Sequence, residues 1–306
     1  MKRVANLATE AGAFRQGRKR SATRSRASQC GRSASAETRL RVSLRATRVR
    51  GLRENYFDGW VAQHYESLWP HLFDPEVVEP AVSFLADLAG DGCALELGVG
   101  TGRLALPLSR RGIRVAGIEL SLAMVEQLRS QPGSSDIDVT IGDFSTTTVD
   151  GTFALAYLVR NTIMNLTTQD AQVECFLNVA RHLEPGGFFV IEVIVPPWQR
   201  LAPGETVIPF DVSAAHLGFD EIDVTTQNSW SHHYWFLDGE TKTFSAPFRN
   251  VWPSELDLMA RLAGMALRDR WSDWNREPFT SKSRSHISVW QKPEQLAPRR
   301  AISGPE

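Results

Sequence analysis

From Asp74 onward the apolar positions switch repeatedly between a helical spacing and short unbroken runs. Val78, Ala81, Val82, Leu85 and Leu88 recur on one helical face behind Asp74-Pro75, an N-cap with proline in the first turn, and Gly90 supplies the stop. Apolar runs at 93–97 and 153–159, and shorter ones closing at 115–120 and 139–141, read as strands buried on both faces. A helical stretch, RLALPLSRR, follows the first of them, and a helix carrying Met124, Val125 and Leu128 follows Ser121. The pattern predicts another helix behind a capping box at Thr167 and Asp170, with Val173, Phe176, Leu177, Ala180 and Leu183 on one face and Pro185-Gly186-Gly187 as its end. FFVIEVIV, at 188–195, is then a fifth strand. Alternating strands and helices with short connections predict an α/β fold with a doubly wound parallel sheet.

After Pro196-Pro197 the period changes to two, as at Ile222, Val224 and Thr226, with a turn at Asp238-Gly239. A small antiparallel sheet inserted at about 204–250 is expected, placed where it can cover a ligand. Ser254 and Asp257 predict the cap of one more helix over 258–262, followed by two late strands at 266–271 and 286–291 and a loose tail over 294–306.

Charge divides the chain. Residues 1–53 hold 15 Lys or Arg against Glu10 and Glu37, whereas the remainder holds 19 basic and 33 acidic residues, so a net charge of -1 conceals two different objects. The Arg- and Ser-rich arm has too few large apolar side chains to offset its ordering entropy and is expected to be disordered. Three readings compete for it: a transit peptide, a nucleic-acid contact, and a non-functional extension. The globular domain is expected over 54–293, cytoplasmic unless the arm directs it to an organelle. No apolar run approaches the roughly 18 residues of a membrane span, which argues against a membrane protein. Cys30, Cys93 and Cys175 are isolated, so neither a disulfide framework nor a metal site is expected.

The chemistry starts at Gly98, Gly100 and Gly102, between the first strand and its helix. A glycine turn there lets the backbone approach a nucleotide-like ligand and aims helix amides at it. The spacing is G-x-G-x-G; the dinucleotide fingerprint would need a glycine where Arg103 stands, and no Gly-Lys-Ser/Thr follows for a P-loop.

ELGVGTG, residues 96–102, resembles the first motif of class I S-adenosylmethionine-dependent methyltransferases. That resemblance implies a mostly parallel seven-stranded sheet of Rossmann-like type, closed by the two late strands, and S-adenosylmethionine as cofactor. It places Glu96, Gly98, Gly100, Thr101 and Gly102 around the donor. Glu119, ending the second strand with Leu120 beside it, resembles the carboxylate that holds both ribose hydroxyls; a carboxylate accepts two parallel hydrogen bonds from a diol. Asp143 and Phe144 resemble the pair that meets the adenine, and RNTIMNL, at 160–166, resembles the stretch after the fourth strand, adding Arg160. Glu96 stays open between ligand contact and satisfaction by loop amides.

The acceptor side carries fewer signals. Tyr56, Trp60, His64 and Tyr65 precede the first motif where related enzymes close an N-terminal lid, and Tyr65 is taken as a donor contact. His232 and His233 are candidate bases, but adjacent strand residues face opposite ways, so at most one reaches a pocket. Trp230, Tyr234 and Trp235 are open between an acceptor pocket and a packed sheet face. RNTI stands where a nucleic-acid amine methyltransferase would show D/N-P-P-Y/F, which argues against that class. The expectation is methyl transfer to an oxygen or nitrogen of a small-molecule acceptor. An RNA or protein methyltransferase guided by the arm, and a donor-binding protein without turnover, are the rivals.

Overall fold

The computed structural model describes residues 55–294; the basic arm over 1–53 and nearly all of the tail lie outside the described residues. Helices α1 (Gly59–Leu68) and α2 (Pro75–Ala89) precede β1 (Ala94–Leu97), α3 (Ala105–Arg110), β2 (Val115–Glu119), α4 (Leu122–Ser130), β3 (Asp138–Ile141), β4 (Phe153–Leu158), α5 (Gln169–His182) and β5 (Leu183–Ile194). The strands β6 (Val207–Val212), β7 (His216–Asp223), β8 (Asn228–Leu237) and β9 (Glu240–Arg249) come next, then α6 (Pro253–Leu262), β10 (Ala266–Trp271) and β11 (Ser285–Gln291).

Seven strands form the main sheet in the order β10-β11-β5-β4-β1-β2-β3. β1 pairs in parallel with both β2 and β4, and β11 runs antiparallel between β10 and β5, so the sheet is mostly parallel as expected. Strand alternation divides its core. Phe189, Ile191 and Val193 of β5 join Phe176 of α5, Met259 of α6 and Trp290 on one face, while Val190 joins Leu85, Leu104, Tyr157 and Val289 on the other. Phe176 meets Phe189 and Trp290 edge-on with centroids 5.1 and 5.4 Å away. Each such fully buried side chain stabilises the fold by roughly 1.5–3 kcal/mol.

The other four strands form an antiparallel sheet in sequence order. Asp238 (φ 49°) and Gly239 (φ 82°) make the turn between β8 and β9, the two-residue connection whose twist suits a hairpin. Arg249, at the end of β9, ties this sheet to the helical layer: its guanidinium donates to Gln172 Oε1 on α5 (2.6 Å) and to Glu255 Oε1 on α6 (2.9 Å).

Some local expectations need correction. The cap of α5 is Thr168, whose hydroxyl accepts from Ala171 N–H at 3.2 Å, one residue later than the Thr167 pattern suggested. β5 starts directly at Leu183, so Pro185-Gly186-Gly187 lie inside it, where the register against β4 shifts. Helix α6 is capped at Trp252, whose N–H donates to Glu255 (3.1 Å), rather than by Ser254 and Asp257. Asp257 accepts from Arg270 and from the Trp290 indole instead. Val224 and Thr226 belong to a turn, because the Asp223 carboxylate draws the Thr225 N–H and the Thr226 hydroxyl to itself and ends β7.

Candidate functional site

The strand order reverses between β1 and β4, and a cavity of about 1270 Å³ opens at their carboxyl ends, the place where open α/β sheets bind ligands. The glycine loop forms its floor. Gly98, Gly100 and Gly102 have φ of 72°, 53° and 86°, and a Cβ on Gly98 would meet Thr162 at 2.8 Å. Gly98, Gly100 and Thr101 line the cavity. Gly102 does not: a Cβ there would stand 2.3 Å from Leu128, so its role is close packing of the loop on α4.

Glu119 is held by backbone. Its Oε2 accepts from Gly100 N–H at 2.8 Å and its Oε1 from Ser121 N–H at 2.9 Å. Burial pushes its carboxyl up and these amides oppose that shift. Leu120 N–H is a third backbone donor to it, and a carboxylate with about four acceptor sites keeps capacity toward the cavity that Glu119 lines together with Leu120. Glu96 lies deeper, where the Tyr157 hydroxyl donates to it at 2.9 Å. Burial raises its pKa to about 8, so it is protonated at neutral pH. Asp143 Oδ1 accepts from the N–H (2.8 Å) and hydroxyl (2.7 Å) of Ser145, and Asp143 and Phe144 line the cavity above β3.

At the end of β4, Arg160 (φ 58°) and Asn161 (φ 63°) are consecutive non-glycine residues in the left-handed region, a conformation costing roughly 1–2 kcal/mol per residue. Hydrogen bonds offset that cost: Arg160 N–H donates to Glu192 Oε2 (3.0 Å), and Asn161 Oδ1 accepts from Ile194 N–H (2.8 Å). Both residues line the cavity. Tyr65 faces it from α1, near Arg160, Arg103 and Glu119, and burial raises the pKa of its phenol.

The opposite wall is the four-stranded sheet, joined to the α1 segment by aromatic contacts. Trp60 lies 5.9 Å from Trp235, Trp69 5.7 Å from Trp235, and Phe57 5.4 Å from Phe244. Tyr56, Trp60 and His64 also line the cavity. Strand pairing sets His216 opposite Trp235, Gly218 opposite His233 and Asp220 opposite Ser231, so these side chains share the inner face. There the Asp211 carboxylate lies 2.7 Å from His216 Nδ1, His216 Nε2 lies 3.0 Å from His233 Nδ1, and the Ser231 hydroxyl lies 3.4 Å from His233 Nε2. Ser231 also hydrogen-bonds Asp220. The ring of Phe210 covers Gly218, where a Cβ would stand 2.1 Å from it. Burial, then the neighbouring His216 and His232, lowers the pKa of His233 to about 4 against the opposing pull of Asp211.

His233 therefore faces the cavity, whereas His232 points the other way, to Ser245 Oγ at 2.8 Å, and does not line it. Trp235 lines the cavity; Trp230 is exposed and Tyr234 packs on Phe219 of the outer face. Asp211, His216, Asp220 and Ser231 were not singled out from the sequence. The signal present was the alternation of His216, Gly218 and Asp220 along one strand face, matched by Ser231 and His233 along another.

The donor side fits S-adenosylmethionine on its own geometry. Thr101 Oγ1 is buried in the loop without a hydrogen-bond partner, a Cβ on Gly100 would meet only open space out to 4.0 Å, and Glu119 presents a carboxylate suited to a diol. Among the described residues no helix is long and apolar enough to cross a membrane. Residues 94–187 match the methyltransferase domain family. The CcbJ methyltransferase of Streptomyces caelestis is 34% identical, with 70% of this chain and 88% of that one covered and a TM-score of 0.65. A cypemycin N-terminal methyltransferase from a Streptomyces species is 27% identical over 206 residues, 65% of this chain and 82% of the relative. The S-adenosylmethionine-bound structure of an amino pentose methyltransferase from Micromonospora echinaspora is 20% identical, with a TM-score of 0.58, covering 78% of this chain and 99% of that one. Motif, sheet order and relatives agree: the chain belongs to the class I S-adenosylmethionine-dependent methyltransferases.

Proposed function

We propose that this enzyme methylates a small molecule, at nitrogen in preference to oxygen, inside the cavity between the glycine loop and the inserted sheet. The observation that carries the reading is the composition of the sheet wall. It combines two carboxylates, Asp211 and Asp220, with the indoles of Trp60, Trp69 and Trp235 around one space. Carboxylates and aromatic faces both attract an ammonium group. A volume of about 1270 Å³ exceeds the roughly 300–1,000 Å³ of a typical single-ligand pocket, which suits a donor and an acceptor together. The cover formed by α1 and the inserted sheet favours a small acceptor over a folded macromolecule. The relatives whose names specify an N-terminal amine and an amino pentose support the same direction.

When bound, S-adenosylmethionine supplies an electrophilic methyl group on a sulfonium. Glu119, Asp143, Phe144, Tyr65, Arg160 and the 98–101 loop are the residues proposed to hold it. An ammonium acceptor must lose a proton before its nitrogen can attack, and His233 is the cavity-facing base for that proton. With its pKa lowered to about 4 by burial and the neighbouring His216, the ring is neutral, with a lone pair present, at neutral pH.

The test is incubation with radiolabelled S-adenosylmethionine and a panel of primary and secondary amines, including amino sugars, alongside phenols and total RNA. Label in an amine supports the reading; label in RNA or protein alone overturns it.

A further inference from the structure

We propose that Asp211, His216 and His233 form a proton wire that carries the acceptor's proton from the cavity to solvent, with His233 as the base and the other two as positioning and relay residues. The inference rests on the proposed amine acceptor for its purpose and on geometry for its existence.

The hydrogen bonds of the row constrain where its protons lie. A carboxylate can only accept, so at 2.7 Å from Asp211 the Nδ1 of His216 carries a proton. In a neutral ring that leaves His216 Nε2 as an acceptor. His233 Nδ1, 3.0 Å away, must then donate. The lone pair of His233 is consequently on Nε2, the nitrogen on the side of Ser231. Ser231 has one proton, and Asp220 is an acceptor for it, so Nε2 is left to take a proton from an acceptor nitrogen. Both rings are thereby held as Nδ1–H tautomers.

Transfer along the row is balanced. The acceptor ammonium gives its proton to His233 Nε2; His233 gives the proton on Nδ1 to His216 Nε2; His216 gives the proton on Nδ1 to Asp211. The nitrogen keeps the electron pair that then forms the bond to the methyl carbon, as the carbon–sulfur bond breaks toward the sulfur. The last member suits release to water: Asp211 also lines the cavity, and its side chain is 45% exposed against 14% for His216. Three rings hold the row flat: His216, His233 and Trp235 lie within 18° of parallel at 5.1 Å spacings. The charged and titratable groups facing His233 are Asp211 from β6, His216 from β7 and His232 from its own strand, with Asp220 reached through Ser231; β9 and the segment after α1 present Phe244 and Trp69.

The experiment uses the full chain labelled with ¹⁵N-histidine, assigned with His216→Gln and His233→Gln, and read at neutral pH with and without S-adenosylhomocysteine. The expected spectrum shows His216 and His233 as neutral Nδ1–H tautomers. His182 is the internal reference, since its Nδ1 faces the Asn178 carbonyl (2.8 Å) and its Nε2 accepts from Val149 N–H (3.0 Å). An Nε2–H tautomer on either ring overturns the wire. With an acceptor from the panel, Asp211→Asn is expected to lower kcat about tenfold and leave donor affinity unchanged. Without the carboxylate the protonated pair is less stabilised, so the acid limb of the rate profile moves to lower pH by about one unit. Asp211→Glu should recover part of kcat. Unchanged kcat and profile in Asp211→Asn overturn the wire while leaving the amine reading intact. If no small amine is methylated, the reading itself fails, and the tautomers still decide whether the wire exists.

Discussion

The two walls of the cavity are built on different principles. On the parallel-sheet side, backbone does the positioning: glycines at positive φ shape the loop, and main-chain amides fix the Glu119 carboxylate. On the antiparallel side the polar groups come from side chains on three strands, brought into one row by cross-strand register. That backbone site is made of two short local segments, 98–102 and 119–121, on neighbouring parallel strands. A side-chain row depends on every strand keeping its place, because a one-residue slip would turn His233 outward and His232 inward.

Separating the walls should be easiest at their junction. Arg249 is buried with Gln172 and Glu255, and removing one member of such a pair costs about 3 kcal/mol or more. Arg249→Ala is therefore expected to lower the melting temperature by about 10 °C in a calorimetric scan; a shift near zero would show that the inserted sheet is anchored by other contacts. Next in size, His233→Gln is expected to reduce kcat about 100-fold or more while leaving the calorimetric Kd for S-adenosylmethionine unchanged. Glu119→Ala should do the reverse, weakening donor binding about 100-fold through loss of two charge-assisted hydrogen bonds. A Glu119 variant with intact donor affinity would remove the ribose assignment.

A smaller effect concerns pH. Glu96 has an ordinary pKa of 4.5 when unfolded and about 8 in the fold. Between those values the folded state binds the extra proton, so this group makes stability fall as pH rises through that window and level off above it. Glu96→Gln keeps an oxygen for the Tyr157 hydroxyl and cannot ionise. Its melting temperature should decline less between pH 6 and 8 than that of the parent, and equal slopes would contradict the assigned protonation. Smallest of all, His232→Gln on the outer sheet face should change kcat by less than about twofold.

These walls also differed in how far the sequence revealed them. ELGVGTG and the Glu119 strand end are local patterns, and the run of apolar strands around them placed β1 to β4 and the two late strands closely and the second half of β5 as well. The inserted sheet was legible as alternation with a turn at Asp238-Gly239, because that turn chemistry is local too. What escaped was pairing. Asp211 and His216 are five residues apart and lie on adjacent strands, and His233 joins them only through the register of β7 with β8. The misplaced caps have the same origin: Asp257 sits where a capping carboxylate belongs, but Arg270 and Trp290, distant in sequence, hold it.

The most direct test of the account is a side-by-side comparison of the parent enzyme and His233→Gln, both saturated with labelled S-adenosylmethionine, for methyl transfer to the amine panel. The expected result is that the parent labels at least one amine and that the variant binds the donor equally well yet transfers methyl groups about 100-fold more slowly. Equal rates in the two proteins, or label in no amine at all, would contradict it.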